Sequence, residues 1–315
     1  MIVYIFKRLI ALIPIILGLT FVVFVIMYMA PVDPTTIILG NDFTVEAGAQ
    51  LREELGLDRP MIVQYVDYIF RLVQGDFGRS YVSREPVINQ IAARFPNTLM
   101  LMVTSMILCL PIAIPVGIYS GTKPNTLPSN IALVIALLGV SMPVFWTGLL
   151  LILLFSLNLG WLPSHGVNDG IASFILPALA LGSTYIANSM RTTRSSMLEC
   201  IRQDYVRTAR AKGVPERSVV YNHALPNALM PTITILGMSI GTLLGGSVVV
   251  ETVFSIPGTG RMLVDSINSY DVPSVLGCLV VMALCMAISN LIVDIIYAYL
   301  DPRIKAQYQT AGRVE

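Results

Sequence analysis

The residue types that could do chemistry are gathered in one polar segment, residues 204–226, between two apolar runs. Residues 203–212 are good helix formers with no breaker, and Gly213 is typical of the position after a helix C-terminus. Pro215 suits the first turn of a second helix, which we expect Pro226 to end. The candidate contact residues of this segment are Asp204, Tyr205, Arg207, Ala209, Arg210, Ala211, Lys212, Gly213, Leu225 and Pro226.

The composition of this segment indicates a mechanical contact rather than a reaction. Ala209, Ala211 and Gly213 are expected to give it a low-profile surface with basic side chains around it. Such a knob can insert into a groove on another protein. The plainer alternative is a solvated basic loop of the kind that cytoplasmic loops of membrane proteins carry.

The chain shows no arrangement of residues that is typical of an active site. It has no Gly-x4-Gly-Lys-Ser/Thr, no Gly-x-Ser-x-Gly and no His-Glu-x-x-His sequence. The two histidines, His165 and His223, are predicted to lie on opposite sides of a membrane. The four cysteines have no CxxC or Cys/His metal spacing. We therefore expect no catalytic residue, no metal site and no cofactor in this chain.

Composition predicts an all-α polytopic membrane protein. Of the 315 residues, 55% are hydrophobic and 12% are charged, whereas a soluble domain is roughly a quarter charged. The net charge of +1 gives no indication of nucleic-acid binding. Six runs approach the length of about 20 residues that a span needs. They are Leu9–Ala30, Thr98–Gly121, Ile131–Leu157, Ser173–Met190, Asn227–Val250 and Ser274–Leu300.

Three of these runs differ from a simple apolar span. The fourth is the weakest, because it is short and contains Pro177, Gly182 and Asn188. The sixth holds the one charge found inside a span, Asp294. We favour a structural role for Asp294 near the cytoplasmic interface, and a proton relay is the alternative. The first run is too long for a signal peptide and is expected to stay as an uncleaved helix.

The basic residues predict the orientation of the spans. With six spans both termini lie on one side, and that side holds thirteen Lys and Arg residues, whereas the opposite short loops hold only Arg261. Both termini are therefore expected in the cytoplasm. The predicted segments are 1–30 with the first span, an extracytoplasmic insertion 31–97, a core 98–300 that includes the cytoplasmic loop 191–226, and a tail 301–315.

The insertion 31–97 is predicted to be a small helical cap. Thr44 can cap a helix that stops at Gly56, and Pro60 suits the first turn of the next helix. A stripe at helical spacing then follows, and we expect it to be packed rather than exposed. The stripe consists of Ile62, Val66, Ile69 and Val73.

Two weaker site predictions concern the fifth span. The turn that follows it is expected to shape an outer gate or touch a partner, and a plain re-entrant loop is the alternative. Its residues are Glu251, Phe254, Pro257, Gly258, Gly260 and Arg261, with the tight turn assigned to the proline and glycines. Ser239, Thr242 and Ser247 could line a path, although hydroxyls in membrane helices often bond to their own backbone.

The spacing of Ala209, Gly213 and Leu225-Pro226 resembles the EAA loop of ABC-transporter permeases. Arg207 stands at the glutamate position of that loop, as in the peptide-transporter branch. Further similarities run along almost the whole chain. They include Ala30-Pro-x-Asp33-Pro34, Gly75-Asp76-Phe77-Gly78-x-Ser80, Gly139-Val-Ser141-x-Pro143-x-Phe145-Trp146 and Val250-Glu251-x-Val253-Phe254-x-x-Pro257-Gly258-x-Gly260-Arg261. The chain thus resembles the B-type permease subunit of dipeptide, oligopeptide and nickel ABC importers.

The resemblance implies a type I ABC importer permease fold with a small extracytoplasmic insertion, located in the inner membrane of a bacterium. It implies a second homologous permease subunit, two cytoplasmic ATPase subunits that carry ATP and Mg, an extracytoplasmic solute-binding protein and a lipid bilayer as partners. Peptides are the expected cargo, and nickel, a metal chelate or a glutathione-like solute are the alternatives. A self-sufficient secondary transporter is the rival function, which would need its own coupling-ion site.

Overall fold

The computed structural model describes residues 2–30 and 32–300, without the side chains of residues 2–9, 238, 240 and 294–300. The secondary structure of this part is helical apart from one isolated bridge between Arg79 and Pro86. The predictions for the tail 301–315 and for the side chain of Asp294 lie outside what is described. The helices belong to two compact units.

The first unit comprises residues up to 98 and residues 257–291. In chain order it contains α1 (Ile2–Tyr28), α2 (Pro34–Leu39) followed by a 3₁₀ turn (Gly40–Asp42), α3 (Val45–Glu54), α4 (Met61–Val73), the start of α5 (Val87–Thr122), α12 (Thr259–Asn268) and most of α13 (Val272–Leu300).

The second unit comprises residues 99–256 and 292–300. After the remainder of α5 it contains α6 (Leu127–Ser141), α7 (Val144–Leu151) with a π-helical extension (Ile152–Asn158), α8 (Ala172–Cys200), α9 (Asp204–Ala211), α10 (Glu216–Ser218), a π-helical segment (Val219–Ala224) and α11 (Leu225–Val253).

Three of the described helices, α1, α5 and α13, are long and apolar enough to cross a membrane, and two bent pairs raise the number to five. The prediction of one continuous third span over Ile131–Leu157 is wrong. α6 and α7 meet at an angle of 115°, because Met142 and Pro143 are both extended, with ψ of 131° and 141°. Proline restricts its predecessor to extended conformations, so the break falls where the sequence places Pro143.

The fourth predicted span lies in α8, which is not among the helices that qualify by composition within the described residues. α8 is instead the central helix of its unit, where it packs against α6, α7 and α11. Much of its length is buried, including Leu176, Ala180 and Met190. A helix that is surrounded by other helices does not need a lipid-soluble surface, so α8 can carry more polar residues than α1.

Glycines set the distance between α5 and α8. A Cβ added at Gly117 would lie 2.6 Å from the Cβ of Thr193, and one added at Gly121 would lie 2.5 Å from the Cβ of Met197. Likewise, a Cβ added at Gly182 on α8 would lie 1.9 Å from the Sγ of Cys109 on α5. Small residues thus let the two helices approach closely, as in other membrane bundles.

The local structure of the insertion follows the prediction. The Thr44 hydroxyl accepts a hydrogen bond from the Ala47 N–H at 3.1 Å and caps α3, and the chain turns at Gly56. Pro60 directly precedes α4. α5 begins at Val87, so the helix that contains the second predicted span starts within segment 31–97 rather than at Thr98.

The packing of the α4 stripe differs from the prediction. Ile62, Val66 and Val73 are exposed, and Ile69 is half-buried. The face that packs is the adjacent one, where Tyr65 contacts α1 through Phe21 and Phe24. A periodic pattern shows that one face of a helix is apolar, but not whether protein or lipid covers it.

A buried carboxylate fastens the insertion to the start of α13. Asp271 is 3% exposed and accepts three hydrogen bonds. The donors are the Ser80 hydroxyl at 2.5 Å, the Tyr81 N–H at 2.9 Å and the Ser274 hydroxyl at 2.7 Å. Because every donor comes from the same unit, this network fixes the turn before α5 within the first unit.

Candidate functional site

The polar segment of residues 204–226, which we call the elbow, begins with α9 and a tight C-terminal turn. Gly213 has φ of +79°, a region that only glycine adopts without strain. The Gly213 N–H donates to the Arg210 carbonyl at 2.9 Å, and the Val214 N–H donates to the Ala209 carbonyl at 3.3 Å. This pair of bonds is the Schellman motif, and it confirms the predicted helix end at Gly213.

The second arm of the elbow starts as predicted and ends differently. Pro215 precedes α10, which continues through the π-helical segment into α11 without a break. The prediction that Pro226 ends the helix is therefore wrong. A proline has no N–H to donate, and the wider π turn, with the Leu225 N–H bonded to the Val220 carbonyl, accommodates it.

An ion pair joins the two arms. The Arg210 guanidinium donates two hydrogen bonds to the Glu216 carboxylate, at 3.0 and 2.7 Å. These hydrogen bonds, together with the opposite charge, hold the pKa of Glu216 below its ordinary value and raise that of Arg210. The sequence analysis did not identify this pair. Its only signal is that opposite charges flank Gly213 and Pro215.

The inner face of the elbow is an apolar cluster. Val206 and Ala209 from α9 pack against residues of the second arm, α5, α8 and α11, namely Val219, Val220, Ala224, Ile118, Met197 and Ala228. Ala209 is only 7% exposed, so the prediction that it belongs to the exposed low-profile surface is wrong. Its small side chain lets α9 lie close to the second arm.

A hydrogen bond outside the cluster also ties α9 to α11. The Asn227 amide donates to the Tyr205 hydroxyl at 3.1 Å. Partial burial raises the pKa of Tyr205, and this hydrogen bond opposes the rise.

The remaining predicted contact residues share the outer face of the elbow. Its exposed members are Asp204, Tyr205, Arg207, Arg210, Ala211, Lys212, Gly213 and Pro226, whereas Leu225 is half-buried. The structure thus brings most of the predicted residues together on one surface. That surface carries three basic side chains and one acidic one, and the apolar cluster lies beneath it.

Of the predicted outer-gate residues, Glu251 and Phe254 lie in the second unit and are buried, at 0% and 1% exposed. Phe254 packs beside Gly148, and its carbonyl accepts a hydrogen bond from the Gly166 N–H at 2.9 Å. The tight turn was assigned to Pro257 and the glycines, but the residue with left-handed backbone is Ser255, with φ of +52°.

The other gate residues lie in the first unit. The Pro257 carbonyl accepts a hydrogen bond from the Asn97 side chain at 2.9 Å. Gly258 has φ of −103°, and Gly260 and Arg261 belong to α12, a helix that the sequence analysis did not predict. The Thr259 N–H donates to the Thr98 hydroxyl at 2.9 Å, which anchors the start of α12 to α5.

The three hydroxyl residues of α11 that were predicted to line a path bond to their own helix. Ser239, Thr242 and Ser247 donate to the carbonyls of Ile235, Ser239 and Leu244, at 2.6, 2.9 and 2.8 Å. Ser247 is completely buried, and the Tyr185 hydroxyl of α8 contacts Thr242 and donates to the Ser239 carbonyl at 3.1 Å. These contacts agree with the plainer alternative considered for them.

Comparison with known proteins places the chain in a family. Residues 113–306 match the model of the binding-protein-dependent transport system inner membrane component, and residues 1–102 match its N-terminal model. The glutathione transport system permease protein GsiC of Escherichia coli K12 is 43% identical, over 96% of this chain and 98% of its own length. The oligopeptide transport system permease protein AppB of Bacillus subtilis is 44% identical, over 96% and 99%.

The fold comparison agrees. A chain in an inward-facing structure of the MetNI methionine ABC transporter is similar with a TM-score of 0.55 at 19% identity, over 67% of this chain and 96% of that chain. The all-helical fold, the apolar helices and the full-length relatives lead to one conclusion. The chain belongs to the binding-protein-dependent transport system inner membrane components and is a multi-pass permease component of an ABC importer.

Proposed function

We propose that the importer carries short peptides, with glutathione-sized tripeptides within its range. The observation that supports this cargo is the similarity over almost the full chain to permeases named for glutathione and for oligopeptides. Nickel or a metal chelate is the alternative, and it has no counterpart among those two relatives. A self-sufficient secondary transporter does not fit the family.

The cargo is tested with the complete importer in proteoliposomes, including its ATPase subunits and its solute-binding protein. ATP hydrolysis is measured with dipeptides, glutathione, longer peptides, free amino acids and nickel. We expect peptides to stimulate hydrolysis and free amino acids to have little effect. Stimulation by nickel or a chelate without stimulation by any peptide would overturn the proposed cargo.

We further propose that the elbow is the part of this chain that docks on an ATPase subunit in the cytoplasm. Its outer face is exposed and basic, with Arg207, Lys212 and Arg217 among its side chains. Its two arms are held by the Arg210–Glu216 pair and by the apolar cluster beneath. A surface fixed in this way moves as a body with α8 and α11, so displacement of the elbow reaches the membrane helices.

The same assembly includes a second permease subunit, MgATP on the ATPases and a binding protein on the opposite side. The orientation proposed from the Lys and Arg distribution puts the elbow and both termini in the cytoplasm. The segment from Glu251 to Arg261 remains the proposed contact of the outer end with one of these partners.

Gly213 provides the sharpest test of the elbow. Gly213→Val causes no steric clash, because no atom lies within 4 Å of an added Cβ. It disfavours the left-handed backbone by roughly 1–2 kcal/mol or more. We expect normal membrane levels and loss of substrate-stimulated ATP hydrolysis. Gly160→Val is the matched control, because Gly160 also has positive φ and open space but lies far along the chain in another loop. Equal effects of the two substitutions would contradict the docking role.

A further inference from the structure

An apolar face of α4 is exposed although its helix belongs to the insertion between two spans. Ile62, Val66, Phe70 and Val73 are 64%, 42%, 66% and 82% exposed. Their spacing places all four on one side of the helix. A contiguous apolar face of this size is unfavourable in water, so an apolar partner must cover it.

The contacts of α4 with α1 show the depth at which this face lies. The Tyr65 hydroxyl bonds to the Leu17 carbonyl at 2.7 Å and lies 3.0 Å from the Thr20 hydroxyl. Leu17 is in the middle of the candidate span Ile10–Tyr28. At 1.5 Å per residue it lies about 16 Å from Tyr28, so it is inside the apolar span and not at its end. Tyr65 therefore reaches α1 at the depth of the acyl chains.

The exposed face of α4 is also continuous with the lipid-facing surface of α1. Phe21 is 40% exposed and packs edge-on against Tyr65, with ring centroids 5.2 Å apart. Ile13 and Val22 of α1 are 56% and 55% exposed. The apolar surface of the span thus extends through Phe21 onto α4.

Polar groups of α4 are kept on a different arc of the helix. Asp67 accepts a hydrogen bond from Arg59 at 2.9 Å, and the Gln64 side chain donates to the carbonyls of Leu57 and Arg59 at 2.9 and 2.8 Å. Arg71 falls between Asp67 and Gln64 on the helical wheel. An apolar face opposite a charged arc is the pattern of helices that lie in a membrane interface.

We propose that α4 is a membrane-embedded amphipathic helix whose face of Ile62, Val66, Phe70 and Val73 is covered by lipid acyl chains. The occupant is lipid rather than a second protein, because the face continues the lipid-facing surface of α1 at hydrocarbon depth. The segment 31–97 is then not a purely extracytoplasmic cap. Within that segment, α4 supports α1 from inside the leaflet that the Tyr28 end of α1 crosses.

The test uses tryptophan fluorescence of the assembled importer in nanodiscs. Trp146 and Trp161 are the two native tryptophans, and replacing both by phenylalanine gives a background without tryptophan in this chain. The probes are Phe70→Trp and Ile62→Trp on the apolar face, and Arg71→Trp on the polar arc is the matched control. Spectra are recorded as differences from the background complex, so that partner tryptophans cancel. Quenching is measured with lipids brominated in mid-chain and, separately, with aqueous iodide.

We expect brominated lipid to reduce the emission of Phe70→Trp and Ile62→Trp about twofold, with little effect of iodide, because interfacial helices bury their apolar face among the acyl chains. Arg71→Trp should show weaker quenching by brominated lipid. Quenching of the two probes by iodide alone would show that the face is in water and would overturn the proposal. Protection from both quenchers would show a covering protein and would equally overturn it.

Discussion

Individual side chains are most constrained where α5 and α8 approach each other. At Gly182 an added methyl group would meet the Cys109 sulfur at 1.9 Å, whereas the next side-chain atom, the Cys109 Cβ, is 3.4 Å away. The sulfur alone therefore excludes a larger residue. Gly245 on α11 has no atom within 4 Å of the corresponding position, so the two glycines differ in the space around them rather than in backbone conformation.

We predict that Gly182→Ala lowers the stability of the purified protein by about 1–3 kcal/mol, the usual effect of overpacking a core. Cys109→Ala combined with Gly182→Ala should recover most of this loss, because it removes the atom that clashes. Gly245→Ala serves as the control and should not lower the thermal unfolding midpoint, because alanine fits there and favours the helix. Unfolding midpoints in detergent check all three, and failure of the double variant to recover would contradict the close contact.

Residues whose conformation depends on their neighbours in the chain could be predicted from the sequence. Gly213 is one, because a helix that ends after Ala211 leaves a position that favours glycine. The left-handed Ser255 and the burial of Ala209 could not be predicted. The first depends on the turn between two elements, and the second depends on contacts with Val219 and Ala224, which follow after the turn.

At the scale of helical elements, an ion pair contributes to the stability of the elbow by joining its two arms. Arg210 and Glu216 are both partly exposed, at 37% and 63%, so solvent screening limits their interaction to at most about 1 kcal/mol. The pair stabilises the elbow when Glu216 is ionised. Because the folded pKa of Glu216 is lowered, this contribution is present above the pKa of the unfolded chain and is lost as the pH falls through the folded value.

We predict that Glu216→Gln reduces hydrogen-exchange protection of the Gly213 and Val214 amides at neutral pH by a few fold, at most about fivefold. The charge-swapped variant Arg210→Glu with Glu216→Arg should restore most of the protection. The native protein should approach the level of Glu216→Gln only when the pH falls through the lowered pKa of Glu216 and its carboxylate is protonated. Protection that is the same in Glu216→Gln and the native protein at neutral pH would show that the pair does not hold the turn.

The sequence predicted most helices but not their bends or surroundings. Pro60, Thr44 and Gly56 mark the ends of α3 and α4 through local chemistry, and these boundaries were confirmed. The break at Met142 was missed because an apolar run looks the same whether it is straight or bent. Likewise α12 and the exposed face of α4 depend on contacts and on solvent, which a hydrophobic pattern does not identify.

For the chain as a whole, the resemblance of its motifs predicted the family. The match to the family model and the full-length relatives confirmed that prediction. Composition alone gave a helical membrane protein. The cargo, by contrast, cannot be read from the three hydroxyl residues proposed to line a path. Ser239, Thr242 and Ser247 bond to their own backbone, and Tyr185 contacts the first two.

The central claim is that an ATPase subunit acts on this chain through the outer face of the elbow. Its most direct test places a photo-activated cross-linking amino acid at Lys212, which is exposed on that face, and another at Trp161 in the loop before α8 as the control. The complete importer is irradiated in membranes, and the cross-linked partner is identified by mass spectrometry. We predict a cross-link from position 212 to an ATPase subunit and none from position 161. A position 212 that cross-links only to lipid, to the binding protein or to nothing would contradict the account.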